Sequence, residues 1–239
     1  MGRSVLLYHG SPSIIEKPVF GTGNPNNDYG LGFYCTQEIE LAKEWSCAGV
    51  QGGVVNHYEL DTNGLNIMRL SSDEYNILNW LAILINNRTF SISAPIAVEA
   101  KEYLNQEFLT FYEQYDVITG YRADDSYFSF AKAFLSGTIS LEQLSKAMHL
   151  GELGEQVVLR SKRAFEQVQF LKYELVKSEI YYPKRTARDQ TARDNFKQES
   201  GNVRVYNSVY ILDILRERWR NDDPRLQRDV SRQRNGKPW

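Results

Sequence analysis

One stretch constrains this chain more than any other, the run Tyr-Gly-Leu-Gly-Phe-Tyr-Cys-Thr that ends at Thr36. Glycine adopts backbone angles that other residues avoid, and it lets the main chain approach a ligand closely. Gly30 and Gly32 therefore predict a tight turn that leads into a short strand carrying Tyr34. Thr36 is placed to cap a helix that begins directly after it.

The predicted helix after this turn is amphipathic. Leu41, Ala42 and Trp45 share one of its faces by three- and four-residue spacing. Tyr34 at the strand and Trp45 on the helix are then able to face each other across a slot about one flat ring wide. Two interpretations stay open, a pair of core aromatics or the walls of a binding slot.

A second candidate is the histidine near the start of the chain. Val-Leu-Leu-Tyr ends at Tyr8 and predicts a short strand, and His9, Gly10 and Ser11 follow it. At a strand end beside a glycine, both a side chain and bare backbone can meet a ligand. A structural histidine is the alternative.

The rest of the chain alternates between strand and helix patterns. We predict strands at 52–61, 115–120, 155–161 and 170–178, and helices at 71–87, 95–114, 126–135, 140–149, 162–167 and 207–220. Asp124 and Asp125 precede one of these helices, either as a carboxylate pair or as a helix cap with a solvated neighbour. From 184 to 200 the chain is polar, and 221–239 is expected to be frayed.

Composition excludes several classes of protein. No apolar run approaches the length of a membrane span, and the first residues lack the pattern of a signal peptide. The only cysteines, Cys35 and Cys47, have no metal-ligand spacing and form no disulfide framework. We therefore expect a cytoplasmic protein without a membrane partner and without a metal site.

Charge is divided unevenly along the 239 residues. Residues 184–239 carry 14 Lys and Arg against 8 Asp and Glu, whereas 1–183 carry 14 against 22. A basic C-terminal part is either a binding appendage or an ordinary solvated helix. Its apolar stripe, which includes Leu212 and Trp219, is a candidate docking surface for a partner protein.

Three motifs stand in order along the chain: Leu-Tyr-His-Gly-Ser at 7–11, Gly-Leu-Gly-Phe-Tyr at 30–34, and Glu-Gln-Val-Val-Leu at 155–159. Together they resemble the His-Tyr-Glu branch of the ADP-ribosyltransferases, the group of diphtheria toxin and the poly(ADP-ribose) polymerases. The chain looks most like a bacterial family encoded beside small putative antitoxins, in which Tyr-Asp-Val-x-x-Gly, here at 115–120, recurs.

The resemblance implies a fold and a domain division. The fold is α+β, with two small, mostly antiparallel sheets split around an NAD cleft. The transferase-like domain would span 1–180 with helices inserted at about 72–148, and 181–239 would be a basic helical extension. It also implies a co-substrate, NAD, and a macromolecular acceptor, protein or nucleic acid.

The resemblance assigns the site residues too. His9 would bond the adenosine-side ribose, Gly10 would pair its backbone with the nicotinamide carboxamide, and Tyr34 and Trp45 would sandwich the nicotinamide ring. The residues implied at the cofactor are His9, Gly10, Ser11, Gly32, Tyr34 and Trp45. The third catalytic position, after His9 and Tyr34, is either Gln156 or Glu155, since strand alternation puts only one of them in the pocket.

The chain departs from the family pattern at three positions. Trp45 replaces a tyrosine, Ala42 replaces a serine that holds the carboxamide, and Gln156, if it is the third residue, replaces a glutamate. With Gln156 polymer elongation is not expected, and transfer of a single ADP-ribose remains. The resemblance therefore implies a mono-ADP-ribosyltransferase, with a catalytically silent NAD- or partner-binding module and an enzyme that modifies RNA or DNA as alternatives.

Overall fold

The computed structural model describes residues 4–49, 51–123, 125–150, 154–201 and 208–226. In chain order its strands are β1 (Ser4–Ser11), β2 (Phe33–Cys35), β3 (Gly53–Asp61), β4 (Ile67–Arg69), β5 (Val117–Tyr121), β6 (Glu155–Leu159) and β7 (Val168–Val176). Its helices are α1 (Ile39–Ser46), α2 (Ile77–Asn87), α3 (Pro95–Glu107), α4 (Asp125–Leu135), α5 (Leu141–Leu150), α6 (Lys162–Gln167), α7 (Ser178–Gly201) and α8 (Ile211–Glu217). The described chain is thus α+β, the fold class that the resemblance implied.

Two sheets organise these elements. The first has the order β1-β3-β7 and is antiparallel throughout. The second has the order β2-β6-β5-β4, in which β4 and β5 run parallel and the other pairs run antiparallel. We did not predict β4, because a run of three residues inside a loop carries no period that distinguishes a strand.

The second sheet is covered on both faces. Side chains alternate across a strand, so Val157 and Leu159 point to one side of β6 and Val158 to the other. Val157 and Leu159 pack with Leu7 and Tyr58 of the first sheet in one buried cluster. Val158 packs into the larger cluster that α2, α3 and α4 supply. The sheets are therefore held together at one end by a shared apolar core.

The helix α8 belongs to the main core, which differs from the predicted extension. Ile211, Ile214 and Trp219 are almost fully buried in the same cluster as Trp80 of α2. The Tyr103 hydroxyl also donates to the Trp219 carbonyl at 2.9 Å. The apolar stripe that we considered as a docking surface for a partner is therefore covered by the chain's own helices.

The long helix α7 falls mostly within 181–239, the segment that we expected to be helical, but its bounds were not predicted because its polar composition hides any apolar period. It follows directly after β7 and is tied to α1 by Arg188, whose guanidinium bonds both carboxylate oxygens of buried Glu44 at 2.8 and 3.0 Å. This pair anchors the basic segment to the sheet-covering helix α1.

Three smaller expectations need comment. Thr36 does not cap α1: the cap residue is Glu38, with no side-chain bond, and the Thr36 hydroxyl accepts from the Glu38 N–H. Asp124 lies outside the described residues. Of the segment 221–239, which we expected to be frayed, residues 227–239 also lie outside them, and Leu226 is buried. Among the described residues, no helix has the length and apolar character needed to cross a membrane.

Candidate functional site

The candidate site lies where the two sheets separate. An isolated bridge joins them, with the Tyr8 N–H donating to the Thr36 carbonyl at 2.8 Å and the Thr36 N–H donating back at 2.9 Å. Antiparallel continuation of this bridge would set Gly10 opposite Tyr34. Instead a cleft of about 380 Å³ lies there. It is lined by His9, Gly10, Asn27, Asp28, Tyr34, Trp45, Arg88, Arg122, Ala123, Gln156 and Arg185.

His9 spans the gap between the diverging strands. Its Nδ1 lies 2.6 Å from the carbonyl oxygen of Tyr34. A carbonyl oxygen only accepts, so Nδ1 carries the proton and Nε2 of the neutral ring is an acceptor. Burial lowers the pKa of His9 below its ordinary value, and the bond to Tyr34 opposes this only in part. The cleft therefore holds a neutral, oriented imidazole at pH 7.

Gly10 presents backbone to the cleft. In a strand, the N–H and C=O groups of successive residues point to opposite sides. The N–H and C=O of Gly10 therefore point the same way as those of Tyr8, two residues earlier, toward β2 and away from β3. A side chain is also excluded here, since a Cβ would lie 2.7 Å from the Ser46 nitrogen and closer still to the Ala42 carbonyl oxygen. Glycine thus lets α1 lie directly on β1.

Tyr34 is fixed through its hydroxyl. The hydroxyl donates to the Gly30 carbonyl at 2.6 Å and accepts from the Tyr29 N–H at 3.1 Å. Gly30 has φ +74°, the left-handed region that favours glycine. The predicted turn is therefore present, and its geometry holds the Tyr34 ring in the wall of the cleft.

Gln156, and not Glu155, lines the cleft. Tyr34 pairs with Val158, two residues along β6, so strand alternation puts Tyr34 and Gln156 on one face and Glu155 on the other. Gln156 is buried, and its Nε2 donates to Asp28 Oδ2 at 2.8 Å. The amide is thus held from behind by a carboxylate.

Asp28 is the most connected polar group of the site. Its carboxylate also accepts from Arg88 Nε at 2.7 Å and from the Ala123 N–H at 2.8 Å. A second nitrogen of Arg88 donates to the Ala123 carbonyl. The loop before β2, the end of α2 and the segment after β5 therefore meet at one buried aspartate.

Trp45 stands in the cleft wall, half-buried, with a cation on its ring. The Arg122 guanidinium lies 4.2 Å from the ring centroid. Such contacts stabilise a cation over an aromatic face. Trp45 and Tyr34 do border the same cleft, as predicted, but a flat ring that stacks on this face of Trp45 has to take the place of the guanidinium.

The cleft carries more positive than negative side chains. Arg88, Arg122 and Arg185 line it against a single carboxylate, Asp28. Arg185 donates to the Cys47 carbonyl at 2.8 Å, which fixes it between α7 and α1. An adjoining cleft of about 350 Å³ shares Trp45, Arg122 and Arg185 and runs between α1 and α7. The combined surface suits an anionic ligand longer than a single ring.

Two residues implied at the cofactor do not line the cleft. Ser11 uses its hydroxyl within the fold, donating to the Ser13 carbonyl at 2.5 Å and accepting from Asn56 Nδ2 at 3.0 Å. Gly32 is needed for packing, because a Cβ there would lie 2.7 Å from Val158 and 2.8 Å from the Leu159 carbonyl oxygen. The two corrections differ in cause. The Ser11 hydroxyl is bonded within the fold, whereas at Gly32 a close approach to a neighbouring strand looks the same in sequence as a close approach to a ligand.

Sequence reasoning missed all four charged side chains of the cleft and one neighbouring amide. We proposed no ligand role for Asn27, Asp28, Arg88, Arg122 or Arg185, yet all five line the cleft. Single charged residues in loops and at helix ends usually lie in solvent. The one available signal was the position of Asp28, next to the Tyr-Gly turn that carries Tyr34.

Comparison with known proteins gives one finding. A family model described as a protein of unknown function, DUF3990, matches residues 5–170. The matched span contains His9, Tyr34 and Gln156, the whole second sheet, and the first sheet except for Ser4 and most of β7. No curated protein and no solved structure matches the chain.

Proposed function

The chain belongs to the family of unknown function DUF3990, and we propose that it is a mono-ADP-ribosyltransferase with NAD as its co-substrate. One observation carries the proposal. His9 and Gly10 from β1, Tyr34 from β2 and Gln156 from β6 line a single cleft together with Trp45 of α1. These segments are far apart in sequence, and the ADP-ribosyltransferase resemblance assigns the same side chains to one dinucleotide.

The chemistry of each group fits a part of NAD. The Nε2 acceptor of His9 suits a hydroxyl of the adenosine-side ribose, and the outward N–H and C=O of Gly10 suit the nicotinamide carboxamide, which has one donor group and one acceptor. Tyr34 and Trp45 offer aromatic faces to the nicotinamide. The arginines of the cleft suit the pyrophosphate, which carries negative charge.

The proposed transfer breaks one bond and forms one. The bond between the nicotinamide nitrogen and ribose C1′ breaks, and its electron pair stays on that nitrogen, which neutralises the pyridinium. A lone pair of the acceptor forms the new bond to C1′, and a protonated acceptor releases its proton to solvent. The transition state resembles an oxocarbenium ion, as in glycoside hydrolysis. The protein's part is to hold C1′ and the acceptor in line.

The identity of Gln156 limits the product. Its amide accepts a hydrogen bond from a ribose hydroxyl but neither removes a proton nor carries charge. We therefore propose transfer of a single ADP-ribose to a macromolecule, without polymer growth. By the same resemblance we propose a cytoplasmic bacterial toxin that a small antitoxin neutralises.

A second candidate rests on two other observations. Ala42 is fully buried against Gly10 and has no hydroxyl for the carboxamide, and Gln156 replaces the carboxylate of the motif. A cleft with these two features fits a module that binds NAD or a partner without transfer. An RNA or DNA acceptor is a variant of the first candidate, and the arginine-lined cleft between α1 and α7 favours it.

One assay separates these candidates. The purified chain is incubated with cell extract and NAD labelled in the adenylate part, and nicotinamide release and labelled macromolecules are measured. We expect both signals from the wild type and neither from His9→Ala. NAD binding by calorimetry without either signal would select the NAD-binding module. Absence of NAD binding as well would refute the transferase and the NAD-binding module, and would leave the partner-binding module.

A further inference from the structure

We propose that Asp28 is a positioning residue that decides which end of the Gln156 amide faces the cleft. A glutamine side chain ends in a donor and an acceptor of nearly equal size, so an unconstrained amide presents either one. In this structure the Nε2 end donates to Asp28 Oδ2 at 2.8 Å. The catalytic consequence rests on the proposed function, whereas the orientation itself does not.

The direction of the amide follows from chemistry. An aspartate carboxylate only accepts, so the atom of Gln156 that meets it has to be the NH₂ group. The oxygen Oε1 is left on the other side, where Gln156 borders the cleft. Within the described part of the chain, no donor is bonded to this oxygen. Gln156 thus offers an acceptor to the cleft, as a glutamate would, but without charge.

Asp28 is itself held so that it cannot turn away. Arg88 Nε bonds Oδ1 at 2.7 Å, and the Ala123 N–H bonds Oδ2 at 2.8 Å. Only 5% of the side chain is exposed, so these bonds are made out of water, where breaking them is costly. The carboxylate therefore accepts from three donors, Arg88, the Ala123 N–H and Gln156. Of these three, Gln156 also has an acceptor, its Oε1, on the side that borders the cleft.

A carboxylate at position 156 would not tolerate this arrangement. A glutamate there would set two carboxylate oxygens against each other at the distance now occupied by a hydrogen bond, which costs free energy unless one group is protonated. Asp28 and Gln156 are thus matched to each other. This match predicts that Asp28→Asn combined with Gln156→Glu restores the hydrogen bond between the two side chains, while either change alone disrupts it.

The test uses three variants, Asp28→Asn, Gln156→Glu and the double variant. In Asp28→Asn the new NH₂ group takes the place of Oδ2, because Oδ1 faces the Arg88 cation, and the bond from the Ala123 N–H is lost. The NH₂ group then donates to Oε1 of Gln156, so Gln156 turns its own NH₂ group to the cleft. We expect kcat for nicotinamide release to fall about tenfold or more, with a smaller change in the Kd for NAD. In the double variant, the introduced glutamate accepts from the introduced asparagine with one oxygen and offers the other to the cleft, and kcat returns to within about threefold of wild type.

The matched control is Asp116→Asn. Asp116 is also a buried aspartate with several donors, the Asn66 N–H at 2.7 Å, the Ser161 hydroxyl at 2.5 Å and Arg163, but it lies outside the cleft. The Asp116→Asn variant measures the loss of stability that such a change produces, and we expect its kcat to equal that of the wild type. An Asp28→Asn variant with full kcat, or a double variant no more active than Asp28→Asn alone, would overturn the proposal.

A measurement without turnover separates this inference from the proposed function. In NMR spectra of ¹⁵N-labelled protein, we expect the Gln156 side-chain NH₂ protons to exchange slowly with solvent in the wild type and rapidly in Asp28→Asn. If the wild type neither binds nor cleaves NAD, the transferase proposal fails, and this exchange still decides the role of Asp28. Equal exchange in both proteins would refute the positioning role, whatever the activity.

Discussion

The imidazole of His9 is bonded through Nδ1 to the main-chain oxygen of Tyr34, 2.6 Å away, so the first two motif residues are held by a direct contact. The contact joins β1 to β2 at the point where the two strands diverge. Because Nδ1 donates in this contact, Nε2 of the neutral ring is an acceptor. Protonation of the ring would turn Nε2 into a donor, which no longer accepts from a ribose hydroxyl. The pH dependence of activity on the acid side should follow from this ring.

Activity should be lost on the acid side. Because burial lowers the pKa of His9 below 6.5, the ring is neutral at pH 7 and above. We expect kcat/KM for NAD cleavage to be level from about pH 7 upward and to fall as the pH drops through the lowered pKa. A profile that instead rises toward acid pH would show that the protonated ring is the active form.

The free energy of unfolding should also decrease toward acid pH. In the unfolded chain His9 titrates near 6.5, and in the folded chain its pKa is lower, so the unfolded state binds the proton more readily. The stabilising contribution is complete above about pH 6.5 and is lost as the pH falls through the folded-state pKa. Urea unfolding between pH 7.5 and 5 should show a shallower decline for His9→Gln than for wild type. His57, whose pKa burial also lowers, should be tested in parallel as His57→Gln.

Gly10→Ala should disrupt the seat of α1. The added Cβ would meet main-chain atoms of Ala42 and Ser46, which no rotamer change relieves. Overpacking of this kind costs about 1–3 kcal/mol. We expect a lower free energy of unfolding and a weaker NAD complex, since α1 also carries Trp45. Gly49→Ala is the control, because nothing lies within 4 Å of its Cβ; equal effects of the two changes would contradict the close approach.

Trp45 should report directly on ligand binding. It lines the cleft, whereas Trp80 and Trp219 are buried in the main core. A nicotinamide ring that displaces the Arg122 guanidinium from the indole should quench its fluorescence. We expect quenching that saturates with NAD concentration in the wild type and is lost in Trp45→Phe. Quenching of the same size in Trp45→Phe would place the ligand elsewhere.

The sequence predicted the site better than its surroundings, and for a physical reason. Gly30 before Tyr34, and Gly10 after His9, mark places where the backbone does something unusual, and such places are visible in a local pattern. Strand alternation limited the third position to one of two neighbours, and the register of β6 with β2 puts Gln156, not Glu155, on the face that lines the cleft. The alternation was known beforehand, but the register was not.

The charged half of the cleft could not be predicted, because it is made of long-range contacts. Asp28 and Arg88 are 60 residues apart. Arg122, which follows β5 of the second sheet, contacts Trp45 of α1, a helix that packs on the first sheet. Nothing in the local pattern around any of these residues distinguishes a buried ion pair from a solvated charge. For the same reason α8 was predicted as an appendage. Its apolar stripe is equally consistent with a partner's surface and with the chain's own core, and only the packing of Ile211 against that core decides.

Truncation of one tryptophan should show how far the C-terminal region is part of the folded unit. Trp219 is 3% exposed and packs in the cluster that α2 and α3 form, whereas Phe111 is an aromatic residue that is 83% exposed. Large-to-small changes of buried aromatics cost about 3–5 kcal/mol. We expect Trp219→Ala to lower the free energy of urea unfolding by about that amount. NAD binding should be lost at the same urea concentration as the folded structure, and Phe111→Ala should change neither quantity. Unchanged stability in Trp219→Ala would mean that residues 208–226 form an extension separate from the core that carries the cleft.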